Sequence, residues 1–568
     1  MSDNIDHTEV EWQFDTDDLG PVERWLRDLP ASLPIAVTAA EPDEHLDTYF
    51  DTGDWRVFRS GYALRARRGQ GRTELTLKAL NGHGNGYATR REVTQYLLDT
   101  DTDSIDEIRG SVGDRVTAMR GRSQTGPLFT AITRRKRYRL WREGREIGEL
   151  SLDNTTFIGD SFEDQSQLMR VELETTAEQT KRLQPFVDAM VEACELKPAT
   201  ASKFKSGASI LGLQPPGPPD VGSLEVGRRS TITELAFAVL RRHFVEFLRR
   251  EPGTRLGDDP EELHDMRVAA RRMRAAFSLF SDYLPDGFDD VRDDLKWVAA
   301  ALGDVRDLDV QLAATRDWQK QLGEQDAAAL EPLMVELNRR RANARGRLLE
   351  ALDSDRYSRL IAGYSDLLSA GVPDDESDLA VQVAPTLVLR RHRKLHRLAD
   401  RLRSDSDDVD FHQARIQGKR LRYALEFVSP LYGKTVKDFI RNLVLVQDVL
   451  GDHQDAIVAI DHLREIATAT DVALPNSTIF SMGRVAERYA DEVIESRRIF
   501  PKTYKPITGK ALERLERELR YRGKQRPRQH LAKETESSNS NDMSAASEGV
   551  VPDEDDARQN EPGGGSWI

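Results

Sequence analysis

The sequence predicts an α+β multidomain chain: a strand module first, then an all-α module of two duplicated helical halves. Three observations carry this reading. Apolar and polar residues alternate with period two from about Thr8 to Gly207. From about Ser230 to Tyr521 the period becomes 3.6 and the segments lengthen. Between them lies LQPPGPPDVGS, residues 213–223, too rich in proline and glycine to continue either pattern. The boundaries that follow are 7–207 for the barrel module, 208–226 for a linker, 227–522 for the helical module and 523–568 for a tail. A chain of 568 residues has room for that many cores.

The strands read in order as EVEWQF from Glu9, ALRARR from Ala63, ELTLK from Glu74, IGELSLD from Ile147 and RVELE from Arg170. Helical segments fall around residues 20–29 and 177–194. Because successive strand side chains point to opposite faces, charge gathers on one face repeatedly. Glu9, Glu11 and Gln13 oppose Val10, Trp12 and Phe14. Arg65 and Arg67 share a face, as do Glu74, Thr76 and Lys78, Arg135 and Arg137, Glu149, Ser151 and Asp153, and Glu172 and Glu174. An open sheet would show these residues to water. A closed barrel with the charged face inward would instead set cations against phosphate oxygens, and carboxylates around a hard divalent metal.

The helical module repeats itself. HDMRVAARRMR begins at His264 and FHQARIQGKRLRY carries the matching histidine, His412; LGDVRD at Leu302 matches LGDHQD at Leu450, and both landmarks recur 148 positions apart. Such a duplication predicts two helical halves that face one another. On a helix, i, i+3, i+7 and i+10 share a face, so His264, Arg267, Arg271 and Arg274 form a cationic stripe about 15 Å long. His412, Arg415, Lys419 and Arg422 form its counterpart, and RRHRKLHR from Arg390 adds cations on another helix. The stripes have almost no acidic partner in sequence before Glu426. Repeating such like-charge repulsion points to an anion that offsets it, and arginine's planar fork matches phosphate. The LGD motifs are expected to set loop and helix-start geometry.

The net charge of −15 at first argues against an anionic ligand, but a site is built from local charge. The one cysteine, Cys194, excludes an intrachain disulfide and suits a reducing compartment. The first residues lack the features of a signal peptide, and no apolar run approaches a membrane span, so a cytoplasmic location is expected. The tail carries too little apolar content to fold. No base-reading motif accompanies the basic helices, which argues against nucleic acid as a partner.

The duplicated histidine–arginine helices and LGD motifs resemble the CHAD domain, the conserved histidine α-helical domain, over roughly residues 225–520. The resemblance implies a non-catalytic module of two pseudo-symmetric four-helix bundles that bind inorganic polyphosphate along a basic channel, through the two sets of four residues above. The strand module resembles the CYTH family, the triphosphate tunnel metalloenzymes, over roughly 7–207. That likeness rests on EVEWQ, DTYFDT from Asp47, LRAR, LTLK, REV from Arg91, SLD, VELE and SKFKSG from Ser202. It implies an eight-stranded antiparallel tunnel that hydrolyses triphosphates, or cyclises ATP, with magnesium or manganese. By carry-over, Glu9, Glu11, Asp153, Glu172 and Glu174 become metal candidates. Arg65, Arg67, Lys78, Arg135, Arg137 and Lys203 become phosphate clamps; Glu9, Glu11, Lys78 and Arg135 carry the catalytic expectation, and Glu92 could assist either set. Choosing Arg135 over Arg134 rests on strand register. The sequence departs from the family pattern at Gln13, where the opening motif has lysine. An uncharged residue there removes one fixed cation from phosphoryl transfer. Two readings follow: a triphosphatase or polyphosphatase, or a non-catalytic receptor that the helical module brings to polyphosphate granules.

Overall fold

The computed structural model describes residues 5–68, 72–80, 83–84, 87–98, 105–159, 165–217, 219–372, 378–469 and 473–524. The tail expected to be unfolded therefore lies outside the described residues from 525 onward.

Eight strands close into an antiparallel barrel: β1 Ile5–Thr16, β2 Asp43–Thr52, β3 Tyr62–Arg68, β4 Arg72–Ala79, β5 Tyr87–Leu98, β6 Thr125–Arg142, β7 Arg145–Ile158 and β8 Gln165–Thr175. Around the ring the order is β1, β8, β7, β6, β2, β3, β4, β5, and β5 returns to β1 with Glu9 opposite Arg90. Closure leaves the ring without a free edge. Short strands at Ala36–Ala39, His83–Gly84 and Lys197–Pro198 extend it on β6, β5 and β1.

The apolar strand faces point outward because helices cover them. Trp12, Phe14, Leu150, Leu152 and Leu173 pack with Val22 of α1 (Gly20–Arg27) and Leu183 and Phe186 of α4 (Thr180–Cys194). On another side Leu64, Leu75, Leu77 and Val93 meet Val57 of α2 (Arg56–Arg59) and Val116 and Met119 of α3 (Gly113–Arg120). The opposite, polar parity is thereby turned into the barrel. At one end the inward face is apolar: Tyr49, Phe129 and Phe157 cluster with Phe204 of α5 (Lys203–Ile210), which Ser202 caps by accepting from the Lys205 amide. Gly207 of α5 is required there, since a Cβ would lie 2.6 Å from Phe157.

The remaining described elements are helical: α6 Ile232–Leu256, α7 Pro260–Phe280, α8 Phe288–Gln321, α9 Glu324–Ala329, α10 Glu331–Leu352, α11 Asp355–Ser369, α12 Ala380–Ala399, α13 Asp408–Val428, α14 Lys434–Thr468, α15 Asn476–Tyr504 and α16 Lys510–Lys524. The chain divides into two compact units, Met1–Glu225 with Ala236–Asp374, and Val226–Leu235 with Asp375–Ile568. The first unit therefore holds the barrel and the first helical half. Within it, buried Glu251 of α6 accepts from Arg56 (3.1 Å), Arg255 (2.7 Å) and the Tyr357 hydroxyl (2.8 Å). Asp258 accepts from Tyr62 of β3, Arg91 of β5 and Arg115 of α3. These contacts tie the α6–α7 corner to the barrel's outer surface. In the second unit α13 reproduces α7 at the 148-residue offset, each being 21 residues long.

The LGD motifs differ from expectation. Both lie inside long helices, α8 and α14, rather than at a loop or a helix start. Gly303 costs some helix propensity, and a Cβ placed there would meet the Arg267 Nε at 3.7 Å, an ordinary van der Waals contact.

Candidate tunnel site and duplicated basic helices

Inside the barrel, three carboxylates converge. Oxygen atoms of Glu11 on β1 and of Glu172 and Glu174 on β8 all lie within 4.8 Å of one another. The first two are buried and Glu174 is half-buried. Their mutual repulsion is offset by nearby cations. Arg90 of β5 donates to Glu11 at 2.7 Å, and Lys78 of β4 lies 3.4 Å from Glu11 and 3.7 Å from Glu92. Arg135 of β6 donates to Glu172 at 2.7 Å and lies 3.9 Å from Glu174. Burial would raise the Glu172 pKa, but Lys203, Arg135, Arg170 and Lys78 together hold it well below the usual carboxylate range. Three carboxylates offer only oxygen donors, the set that magnesium or manganese takes and that softer ions do not favour. The donor set therefore fits the metal that the fold implies.

Asp153, also inward and fully buried, shares Arg135 Nη2 with Glu172. Arg135 grips it with two bonds of 2.7 Å, and Lys203 of α5 donates to it at 2.6 Å. It thus holds two cations in place, one of which it shares with Glu172. Glu9 occupies the β1 position opposite Arg90, and its side chain lies outside what the structure describes.

Across the lumen, Arg67 of β3 makes a bidentate pair with fully buried Asp47 of β2, at 2.7 and 2.9 Å. Arg65 lies 3.9 Å from the same carboxylate and donates to Glu74 at 2.9 Å. Arg65 and Arg67 keep Asp47 ionised despite its burial, well below the ordinary range. His45, on the same face of β2, is pushed down to about 4 by burial and by Arg67, and stays neutral near pH 7. Arg135 turns inward, whereas Arg134 is exposed and pairs outside with Glu44 at 2.9 Å. Arg137 follows on the Arg135 face opposite Ser151, and its buried Nε meets no hydrogen-bond partner among the described residues.

Sequence reasoning missed three members of this site. Arg90, Asp47 and Arg170 had no assigned role, although Arg90 keeps the inward parity of Glu92, Arg170 keeps that of Glu172, and Asp47 opens the DTYFDT motif. Arg170 is fully buried, donates to Asp15 at 2.8 Å and reaches Ala201 O and Ser206 Oγ, anchoring the segment that presents Lys203. Gln13 is built into the cluster. Its amide nitrogen donates to Glu11 (3.1 Å) and Glu172 (3.0 Å), and its oxygen accepts from Arg90 (3.3 Å).

The two basic stripes do have acidic partners, supplied by the neighbouring helix. Arg267 of α7 lies 3.6 Å from Asp307 of α8; at the equivalent positions of the second unit Arg415 of α13 lies 3.3 Å from Asp455 of α14. Both aspartates belong to the LGD motifs, so the duplicated landmarks meet pairwise in three dimensions. His264 is half-buried, and burial and Arg306 lower its pKa; His412 bonds instead to Gln454 at 2.6 Å. Arg422 donates to Glu426 at 2.6 Å and to Gln447 at 3.3 Å. Arg271, Arg274 and Lys419 continue the stripes along α7 and α13, and burial and Arg292 depress the Arg274 pKa. In RRHRKLHR, His392 is buried and His396 bonds to the Tyr504 hydroxyl at 2.9 Å, so two of its members serve packing. No helix among the described residues is long and apolar enough to cross a membrane.

Comparison with known proteins agrees with this architecture. A model of the CYTH domain matches residues 30–207, and a model of the CHAD domain matches 238–464. Uncharacterized proteins from two Mycobacterium tuberculosis strains are each 26% identical over 519 residues, spanning 85% of this chain and 93% of theirs. Among solved structures, the CHAD domain from the plant Ricinus communis shares 29% identity, with 50% of this chain and 96% of that one covered at a TM-score of 0.43. A Hippeastrum protein, described as an adenylyl cyclase candidate with a dominant triphosphatase activity, shares 19%, covering 37% and 98% at a TM-score of 0.28. With an eight-stranded antiparallel barrel followed by duplicated helices, this chain carries a CYTH domain at 30–207 and a CHAD domain at 238–464.

Proposed function

We propose that the chain binds inorganic polyphosphate through its CHAD domain and hydrolyses triphosphate or polyphosphate ends in its CYTH tunnel with magnesium or manganese. One observation carries the reading: Glu11, Glu172 and Glu174 converge inside a barrel whose lumen also presents Arg65, Arg67, Lys78, Arg135 and Lys203. When bound by the three carboxylates, the ion would polarise phosphoryl oxygens and neutralise developing charge. The chain's own cations do the rest. Arg65 and Arg67 on one wall and Arg135 and Lys203 on the other grip phosphate oxygens, exchanging part of their carboxylate contacts for the ligand. Their fixed positions orient the chain and stabilise charge without reorganisation during reaction. In the helical domain, His264, Arg267, Arg271 and Arg274 form one polymer-binding stripe, and His412, Arg415, Lys419 and Arg422 form another.

A second reading, a receptor without turnover, is favoured by Gln13, which leaves the opening strand one cation short. Phosphate release from tripolyphosphate, ATP and long polyphosphate, with magnesium or manganese, separates the two. Release that disappears in Glu11→Ala supports hydrolysis. Tight polyphosphate binding without release, weakened by Arg267→Ala and Arg415→Ala, supports the receptor.

A further inference from the structure

We infer that Arg90 supplies, from β5, the tunnel cation that the opening strand lacks, and that Gln13 is its matched partner. This inference rests on reading the barrel as a phosphate site. The argument starts from burial. The Arg90 side chain is 2% exposed, and one nitrogen, Nη1, reaches both Glu11 (2.7 Å) and Gln13 (3.3 Å). Its Nε is buried without a hydrogen-bond partner among the described residues, so the guanidinium is not fully satisfied by the barrel. Arginine offers five donors in a fixed fork, more than Glu11 and Gln13 accept here.

Gln13 fits this cation by being neutral. Its oxygen accepts from Arg90 while its amide nitrogen donates to Glu11 and to Glu172. One side chain thus aligns the arginine and bridges two of the three clustered carboxylates. A lysine at position 13 would keep a donor for the carboxylates but offer no acceptor, and would bring a second positive charge against buried Arg90. Glutamine at 13 and arginine at 90 are therefore one device, and lysine at 13 suits a tunnel without that arginine. On this reading Arg90 supplies its charge to the phosphate site through its contacts with Glu11 and Gln13, and Gln13 is a positioning residue.

The test is a cycle of full-length Arg90→Gln, Gln13→Lys and the double variant. Tripolyphosphate binding is read by calorimetry in EDTA, so that neither metal nor turnover enters, with thermal unfolding as a second readout. Expected is a loss of tenfold or more in affinity for each single variant, and recovery to within about threefold of the unsubstituted chain in the double. The midpoint of unfolding should follow the same pattern. Arg90→Gln binding within twofold of the unsubstituted chain overturns the inference, as does a double variant no better than Gln13→Lys. If Arg90→Gln does not fold, the comparison of Gln13→Lys with the double variant decides. Absence of binding by the unsubstituted chain overturns the tunnel reading itself, whereas binding with no recovery in the double overturns the Arg90–Gln13 pairing alone.

Discussion

Replacing Asp47 with asparagine should cost the barrel about 2–4 kcal/mol at neutral pH and at the same time strengthen its hold on phosphate. The carboxylate is fully buried and anchors Arg67 through two short bonds, with Arg65 at 3.9 Å. Removing one partner of a buried ion pair costs about 3–5 kcal/mol, because the other charge is left without compensation. The Arg67 side chain is 20% exposed, so water recovers part of that loss, and about 2–4 kcal/mol remains. Asparagine has nearly the same shape, so no cavity adds to the figure. The pH dependence carries the sign. Arg65 and Arg67 depress the folded-state pKa of Asp47, so its stabilisation is complete above the unfolded value of about 3.9 and is lost as pH falls from there through the depressed folded-state value. Urea unfolding of the two chains should therefore show a gap that narrows by about 1 kcal/mol between pH 7 and pH 3. Tripolyphosphate, meeting two arginines released from their carboxylate, should bind the variant more tightly and restore part of the lost stability. A gap under about 1 kcal/mol at pH 7, or one that does not change in acid, would refute the ion-pair account.

Three further outcomes follow from particular contacts. Gly207→Ala drives a Cβ to within 2.6 Å of Phe157 and 2.9 Å of Phe129, so thermal unfolding should show a loss of about 1–3 kcal/mol; an unchanged midpoint would mean that the aromatic end of the barrel has slack. Glu251→Ala strips a shared acceptor from Arg56, Arg255 and Tyr357, and urea unfolding should report about 3–5 kcal/mol, against nearly none if Asp54 and Asp353 alone satisfy the two arginines. Asp455→Asn relieves Arg415 of a carboxylate at 3.3 Å and should tighten polyphosphate binding severalfold, while Arg415→Ala weakens it and flattens its salt dependence; competition binding at two ionic strengths checks both.

Much of the site was legible before the fold. Strand parity alone put Glu11, Glu172, Arg65, Arg67 and Lys78 on charged faces, and the structure turns those faces into one lumen. The LGD motifs show where such reading stops. A glycine followed by aspartate suggests a turn, yet α8 and α14 run straight through both motifs because the surrounding apolar residues, Leu302 and Val305 or Leu450 and Val449, are buried by helix packing. Tertiary packing outweighs the roughly 1 kcal/mol helix penalty of a single glycine.

The sequence by itself determined the two periodicities, the duplication at 148 residues, the charged strand faces and the neutral glutamine at position 13. These are properties of spacing along one strand or one helix, which local geometry converts directly into a face. Which charges meet was decided only in three dimensions. Arg90 reaches Glu11 because β5 closes the ring against β1, Asp153 is gripped by Arg135 and Lys203 because α5 returns to the barrel's end, and Asp307 and Asp455 face Arg267 and Arg415 across neighbouring helices. Pairs 18 to 79 residues apart in sequence leave no periodic trace; ring closure and helix packing alone bring them within bonding distance, and burial then sets how strongly each charge is held.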